Sequence, residues 1–200
     1  SLEVLPEEIR RTFYALGAFA PKPERFGRKA AETITQTTTR ALAILIARNL
    51  LERIDDQNLT LHQTLADAAR VQTVPEFVAR HKNYYVGNAA DNPEDWRTIE
   101  PDYGQVKWAW NALKDFEERY NFQRIMFVFQ HRRGYRKDSV EWIQSLLPRA
   151  VASKDVKKEA ELTYALGVSC LNLGWLDDAL KAFEQNMHCS MNLGDQNQIG

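Results

Sequence analysis

The stretch from Asn49 to Gln63 constrains the fold of this chain most, because it combines two short strand-like segments with a polar turn. Leu51–Ile54 and Leu59–Leu61 alternate apolar and polar residues, which is typical of paired β-strands. The residues 55–58 between them, Asp-Asp-Gln-Asn, favour turn conformations. His62 follows the second segment, where a helical pattern resumes. The sequence therefore predicts a β-hairpin that ends in a histidine at the start of a helix.

Helices are predicted on both sides of this hairpin. In the first helix, apolar residues recur at helical spacing at Ile9, Phe13 and Leu16. A short second helix is predicted from about Arg25 to Ile34, and the threonines at 37–39 offer hydroxyls to cap a third. Three helices, a hairpin wing and a return helix make a winged helix over residues 1–72.

The second half of the chain carries an internal repeat. Pro75 is predicted to start a helix, and a further helix to carry Val106, Trp110, Leu113 and Phe116, so that residues 73–121 form a helical linker. The segment Gly134–Gln144 then matches Gly174–Glu184 at an offset of 40 residues, each with a glycine, an aromatic residue and an amphipathic helix.

The later copy of this repeat resembles a tetratricopeptide unit over residues 156–192. Small residues at Gly167 and Gly174 would let two helices approach closely, and Phe183 would fill the gap between them. Leu193-Gly194-Asp195 resembles the lead into another repeat, so we expect residues 122–200 to be tetratricopeptide-like repeats truncated at the C-terminus of an excised fragment. The predicted fold class is mainly α: a winged helix with a small β-hairpin, followed by an α-α superhelix of tetratricopeptide-like repeats.

Composition limits the function classes. The 26 basic and 27 acidic residues give a net charge of -1, which provides no global attraction to nucleic acid. Cys170 and Cys189 lack metal-ligand spacing and fit reduced thiols of a cytoplasmic protein. An acidic N-terminus and the lack of a long apolar run predict neither a signal sequence nor a membrane span.

A set of residues in the first 70 positions carries a family resemblance: Leu5-Pro6, Arg10-Arg11, Phe13, Leu16-Gly17, Phe19, Leu50–Arg53, Leu59–His62 and Ala68–Arg70. They resemble the winged-helix segment of the signal-transduction NTPases with numerous domains, the STAND or NB-ARC-type switches of apoptosomes, plant resistance proteins and many bacterial regulators. The order of winged helix, helical linker and tetratricopeptide-like unit extends this resemblance over nearly all of the chain.

The resemblance implies a regulatory role for His62. In that family the winged helix closes over a nucleotide, and a Met-His-Asp motif at the exit of the wing supplies a histidine to the diphosphate. Leu61-His62-Gln63 occupies that place, with Gln63 where the family has aspartate. His62 is thus a candidate ADP phosphate sensor, the ADP or ATP being held by an upstream nucleotide-binding module in the intact protein, while the helical repeats would bind a protein or peptide signal.

An imidazole can donate a hydrogen bond to a phosphate oxygen, which is the chemistry that this role needs. The alternative is a histidine that only hydrogen-bonds the backbone where a strand gives way to a helix. An enzyme is not expected, because the chain has no Gly-x-x-x-x-Gly-Lys-Ser/Thr loop to hold phosphates, and no cofactor is expected in these residues themselves. The histidines are too scattered along the chain to suggest a metal site: His62, His81, His131 and His188.

Two further functions stay open. A DNA-binding transcriptional regulator is disfavoured, because the third helix offers only Arg40 and Arg48, Asp55 and Asp56 would repel phosphate, and residues 1–72 hold ten basic and nine acidic residues. The other is a repeat-based adaptor without nucleotide switching. The basic run 131–137 would suit an acidic partner, or would simply be a solvated turn between helices.

Overall fold

A computed structural model describes the backbone of residues 2–199 and the side chains of residues 2–194, and it is mainly helical with a small antiparallel three-stranded sheet. The helices and strands follow one another as α1 Glu7–Leu16, β1 Phe26–Gly27, α2 Arg28–Thr35, α3 Thr39–Ala47, β2 Glu52–Arg53, β3 Asn58–Thr60, α4 Gln63–Arg70, α5 Pro75–Asp91, α6 Trp96–Ile99, α7 Tyr103–Ala112, α8 Phe116–Arg133, α9 Arg136–Ala152, α10 Val156–Leu173 and α11 Leu176–Ile199. In the described part of the chain, no helix is long and apolar enough to cross a bilayer.

The chain divides into two compact units, one up to Leu113 and the other from Lys114. This division differs from the predicted boundaries after residues 72 and 121. The reason is that α7 is tied to the segment before β1, where the side chain of Gln105 hydrogen-bonds the backbone of Ala20 and Arg25. Most of the predicted linker therefore belongs to the first unit.

Helix α1 confirms the apolar pattern of the N-terminal sequence. Ile9, Phe13 and Leu16 are all buried, with at most 5% of any of them exposed. Two acidic residues, Glu7 and Glu8, occupy the first turn, where the partial positive charge of the helix dipole favours them. The third helix is capped as predicted, since the Thr38 hydroxyl accepts a hydrogen bond from the amide of Ala41.

The hairpin is confirmed, and the structure adds a strand to it. β2 and β3 pair antiparallel, with Arg53 opposite Leu59, and β1 pairs with the other edge of β3, with Phe26 opposite Leu59. The prediction of a helix from Arg25 was wrong at its start, because the fully buried Phe26 lies in a strand and α2 begins at Arg28. A two-residue strand is too short to show alternation in the sequence.

The end of α1 lies close to the end of α4 at Gly17. A Cβ atom at this position would lie 2.3 Å from Thr73 Oγ1, 2.7 Å from the amide nitrogen of Arg70 and 2.9 Å from the carbonyl carbon of Ala69. The last two are backbone atoms, which cannot rotate away as the end of a side chain can. The helices can therefore approach this closely only without a side chain at residue 17.

Gly17→Ala is expected to lower the free energy of unfolding of the first unit by about 1–3 kcal/mol, because the methyl group must push two backbone segments apart. Chemical denaturation followed by tryptophan fluorescence would measure the change. Gly87→Ala is the matched control, since a Cβ atom in α5 at Gly87 meets nothing within 4 Å and alanine favours helix. Equal stability of the two variants would contradict the close approach.

The second unit contains two successive helical hairpins, α8 with α9 and α10 with α11. Gly134 and Gly174 end the first helix of each hairpin with φ of +86° and +76°, a left-handed conformation that glycine adopts without strain. An aromatic residue, Tyr135 or Trp175, follows each glycine. The backbone thus confirms the recurrence of glycine, aromatic residue and helix at the 40-residue offset.

Helices α10 and α11 pack closely around Gly167, as the small residue at this position predicted. A Cβ atom there would lie 2.6 Å from Cε1 of Phe183, so the aromatic ring occupies the space that a side chain at residue 167 would need. The contact between α9 and this hairpin is apolar and includes Val140, Cys170 and Ala179.

One prediction about a helix end was wrong. The helix predicted to carry Val106 through Phe116 is broken, since Leu113 is extended and the Asp115 carboxylate caps α8 by accepting from the amide of Glu118 at 3.0 Å. Leu193-Gly194-Asp195, which resembles the lead into another repeat, lies within α11, and Gly200 lies outside the described residues. A glycine without a helix-stopping neighbour does not end a helix by itself.

Candidate functional site

His62 is the N-cap residue of α4, directly after β3. Its φ and ψ of -62° and 143° are extended, and its Nδ1 atom accepts a hydrogen bond from the amide of Thr64 at 3.3 Å. The side chain is otherwise exposed to solvent. The alternative role of this histidine, a hydrogen bond to the backbone where a strand gives way to a helix, is therefore present.

This hydrogen bond also fixes the tautomer of the neutral ring. Because Nδ1 accepts, the proton must lie on Nε2, at the opposite edge of the imidazole. The exposed edge of His62 thus presents an N–H donor at the start of a helix, where the dipole favours an anion. Capping α4 and donating to a phosphate oxygen use different nitrogen atoms and are compatible, so the geometry of His62 suits a phosphate group.

A cavity of about 190 Å³ lies between α8 and α10, the first helices of the two hairpins. We call it the inter-helix cavity. It is lined by Tyr120, Gln123, Arg124, Phe127, Glu161, Leu162, Tyr164 and Ala165. Each helix contributes residues spaced three or four apart, which places them on one helical face. A ligand on the repeats is expected from the sequence, but none of the residues that line this cavity is among the sequence candidates.

Three linked side chains form one polar part of the cavity wall. The Tyr120 hydroxyl donates to Oε2 of Glu161 at 2.5 Å, and Nε of Arg124 lies 3.2 Å from the same oxygen. Burial raises the pKa of Tyr120, and the hydrogen bond to the Glu161 carboxylate raises it further. The phenol therefore stays protonated and holds Glu161 in place at the edge of the cavity.

Gln123 is the second polar group of the wall, and its amide nitrogen lacks a hydrogen-bond partner among the described residues. Only 1% of the residue is exposed, and the amide nitrogen is buried. An unpaired buried donor costs about 1–3 kcal/mol, so native proteins rarely keep one without compensation. Because this nitrogen has almost no accessible surface, a ligand oxygen in the cavity would pair with it only if the Gln123 side chain turned toward the cavity.

His131 and Ser169 join α8 to α10 near the cavity. The His131 ring packs on Phe127 with centroids 4.2 Å apart, and its Nε2 lies 2.9 Å from Oγ of Ser169. Burial lowers the pKa of His131, and the Arg136 charge lowers it further. Ser169 is fully buried and its hydroxyl donates to the carbonyl of Ala165. This pair is a link between helices, since no substrate can reach the serine oxygen.

The first unit contains a buried polar network around Gln105. Its Oε1 atom accepts from the amide of Ala20 at 2.9 Å, and its Nε2 atom donates to the carbonyls of Ala20 and Arg25, both at 3.1 Å. His81 Nε2 lies 2.9 Å from the same Oε1. The amide of Gln105 is thus fully paired, unlike that of Gln123.

His81 completes this network and packs against aromatic rings. Its ring lies 4.7 Å from that of Tyr85 and 5.1 Å from that of Phe19, centroid to centroid. Burial lowers the pKa of His81 from 6.5 to about 4, although the hydrogen bond to Gln105 acts in the opposite direction. His81 is therefore neutral at physiological pH and acts as a donor to Gln105.

The residues considered for DNA contact are at the surface. Arg40 and Arg48 are exposed at the two ends of α3, and Asp55 and Asp56 are exposed in the turn between β2 and β3. Hydrogen bonds from Asn58 and from the amide of Gln57 lower the pKa of Asp55, which keeps its carboxylate ionised. The turn thus presents negative charge to any polyanion.

No group of three or more histidine, cysteine, aspartate or glutamate residues within the described side chains is placed to hold a metal ion. Searches of protein-family models, curated proteins and solved structures found no match to this chain.

Proposed function

We propose that this chain is a regulatory part of a cytoplasmic nucleotide-switch signalling protein of the STAND type. The winged helix would hold an upstream nucleotide-binding module closed over ADP, and the helical repeats would bind a protein or peptide signal. Signal binding would favour an open state with fewer contacts to the nucleotide, provided that the signal binds that state more tightly.

The first unit supports a winged helix through its element order. Three helices, α1 to α3, precede the β2–β3 hairpin, and α4 returns after it. β1, which lies between α1 and α2 in the chain, pairs with β3. Phe26 in β1 therefore anchors the hairpin to these helices. This arrangement would place His62 at the exit of the wing.

The second unit supports tetratricopeptide-like repeats. Two helical hairpins follow each other at an offset of 40 residues, each with a left-handed glycine at its turn. The ring of Phe183 fills the space that Gly167 leaves by having no side chain. In such repeats, stacked first helices line one continuous face.

The observation that carries the proposal of a peptide ligand is the inter-helix cavity with the unpaired amide of Gln123. A cavity of 150 Å³ in another protein accommodates a benzene ring, so about 190 Å³ suits one aliphatic or aromatic side chain. The amide of Gln123, after its side chain turns toward the cavity, would donate to a carbonyl oxygen of the same peptide. An apolar side chain beside an acceptor oxygen is what a peptide segment supplies.

Selection of short random peptides on the whole chain, followed by titration of the selected synthetic peptides, would test this proposal. We expect Gln123→Leu to weaken their binding about tenfold, because the leucine cannot donate to the ligand oxygen. Gln144→Leu, an exposed position on α9, is the matched control and should leave affinity unchanged. Peptides that bind both variants equally would place the ligand elsewhere.

The sensor role of His62 has its own prediction. In the protein joined to its nucleotide-binding module, His62→Ala should reduce ADP affinity about 10- to 100-fold, the range for a hydrogen bond to a charged group. His62→Asn is the informative companion, because asparagine caps helices well but is too short to reach as far as imidazole. If the asparagine variant retains ADP like the parent protein, His62 is only a cap.

The adaptor and the switch hypotheses predict different coding sequences upstream of this segment. A phosphate loop within about 300 residues upstream of this segment, the length of a nucleotide-binding module with a helical extension, would support the switch. A coding sequence without such a loop would support the adaptor.

A further inference from the structure

The edge of the inter-helix cavity carries an ion pair between Arg124 on α8 and Glu161 on α10. Nε of Arg124 lies 3.2 Å from Oε2 of Glu161, and both residues line the cavity. The Arg124 side chain is 58% exposed and the Glu161 side chain 34%. A ligand that enters the cavity from solvent therefore meets both charged groups. We call these two residues the rim pair.

The rim pair keeps hydrogen-bonding groups that no described residue uses. The Tyr120 hydroxyl and Nε of Arg124 both contact Oε2 of Glu161, so the other carboxylate oxygen, Oε1, stays open as an acceptor. The two Nη atoms of Arg124 carry four further N–H donors without an acceptor among the described residues. The guanidinium also lies over the Tyr120 ring, 5.7 Å from its centroid, and Tyr120 is buried. An acceptor and a set of donors are thus held side by side.

The charges of the rim pair favour a neutral ligand group. A ligand carboxylate that approached Arg124 would also approach the negative charge of Glu161, and a ligand amine at Glu161 would meet the positive charge of Arg124. A neutral group with one donor and one acceptor avoids both repulsions. In an extended peptide, the N–H and the C=O of one residue point to the same side of the chain. One residue of such a peptide therefore matches the rim pair.

We propose that the rim pair binds the backbone of the peptide whose side chain enters the inter-helix cavity. Oε1 of Glu161 accepts from the N–H of one peptide residue, and Nη of Arg124 donates to the C=O of the same residue. This inference rests on the peptide site of the proposed function and specifies its ligand as an extended, internal segment instead of a chain end. Because Tyr120 already holds the carboxylate, the rim pair binds without rearrangement.

Replacing single amides of the peptide by esters would test the backbone contact, because an ester has no N–H to donate. The probe is the tightest synthetic peptide selected on the whole chain, labelled with fluorescein and titrated by fluorescence anisotropy. One ester position should weaken binding to the parent chain about tenfold. The same ester should weaken binding to Glu161→Ala less than about twofold, since its acceptor is already missing. Glu141→Ala, at an exposed position of α9 outside the cavity, is the matched control and should keep the tenfold loss.

Blocking the ends of the same peptide would test the preference for an internal segment. Acetylation of the N-terminus and amidation of the C-terminus should each change the affinity less than about twofold, because neither end contacts the rim pair. A loss of binding on amidation would place a carboxylate on Arg124. A loss on acetylation would place an amine on Glu161. Either result overturns the backbone contact.

The failure of this proposal can be distinguished from failure of the peptide site itself. If Gln123→Leu weakens the selected peptides but no ester position is sensitive on the parent chain, the peptide site stands and the backbone contact is overturned. The same holds if the sensitive ester acts equally on the parent chain and on Glu161→Ala. The measurement on the parent chain does not depend on the folding of any variant. A chain that selects no peptide overturns both proposals.

Discussion

Replacing Gln105 with leucine is expected to lower the free energy of unfolding of the first unit by about 3–5 kcal/mol. Leucine has a similar size but no polar atom, so the change removes the hydrogen bonds and little packing. The amide and carbonyl of Ala20, the carbonyl of Arg25 and the N–H of His81 would all lose their Gln105 partner. Each buried group left without a partner costs about 1–3 kcal/mol, with relaxation absorbing part of the total.

Hydrogen exchange of the backbone amides in α5 and α7 would measure the effect, because it assigns the loss of stability to the first unit. Gln63→Leu is the control: this glutamine is exposed in α4 and donates only to the exposed Asp67, so the expected change is below about 0.5 kcal/mol. A Gln105 variant as stable as the Gln63 variant would mean that the network contributes nothing to the fold.

The parts of the fold that the sequence predicted are those encoded by local periodicity. Ile9, Phe13 and Leu16 fall on one helical face, and the polar residues 55–58 separate two alternating segments, so α1 and the hairpin were predicted from neighbouring residues. β1 was missed because a strand of two residues is too short to show an alternating pattern of apolar and polar residues. The break at Leu113 was missed because the apolar spacing continues across it to Phe116, and only the Asp115 cap marks the new helix.

The candidate sites divide in the same way. His62 was identified because the strand, the histidine and the following helix are adjacent in the chain. The inter-helix cavity was not identified, because its walls come from residues near Tyr120 and near Glu161, which are about one repeat apart in the chain. Its polar character depends on which side chains find partners, and that depends on how α8 and α10 pack. The sequence alone gives no signal for such pairing.

The two buried glutamines show how packing decides the role of a residue. Gln105 and Gln123 are both in helices and both at most 1% exposed. The amide of Gln105 is fully paired by backbone and His81, which makes it part of the core. The amide nitrogen of Gln123 is unpaired beside a cavity, which makes it a candidate ligand donor.

The burial of His81 beside Gln105 also makes the first unit sensitive to acid, because burial lowers the pKa of this histidine. In the folded protein the pKa of His81 is lowered to about 4, whereas the unfolded chain has the ordinary value of 6.5. Between these two pH values the unfolded chain binds a proton that the folded protein does not, so stability rises with pH. The contribution is complete above about pH 6.5 and is lost as the pH falls toward 4. The difference between the two pKa values corresponds to about 3 kcal/mol.

Denaturation between pH 7.5 and pH 4, with hydrogen exchange in α5 as the readout, would measure this loss. His81→Asn removes the titrating group while keeping an N–H donor for Gln105. We expect this variant to be less stable than the parent protein at neutral pH. Between pH 7.5 and pH 4 it should lose about 3 kcal/mol less stability than the parent protein. Carboxylates with lowered pKa values, such as Asp55, also lose stabilising interactions in acid, but they contribute equally to both proteins and cancel in the comparison. Parallel pH profiles for the two proteins would show that the pKa of His81 is the same in the folded and the unfolded protein, and that burial does not lower it.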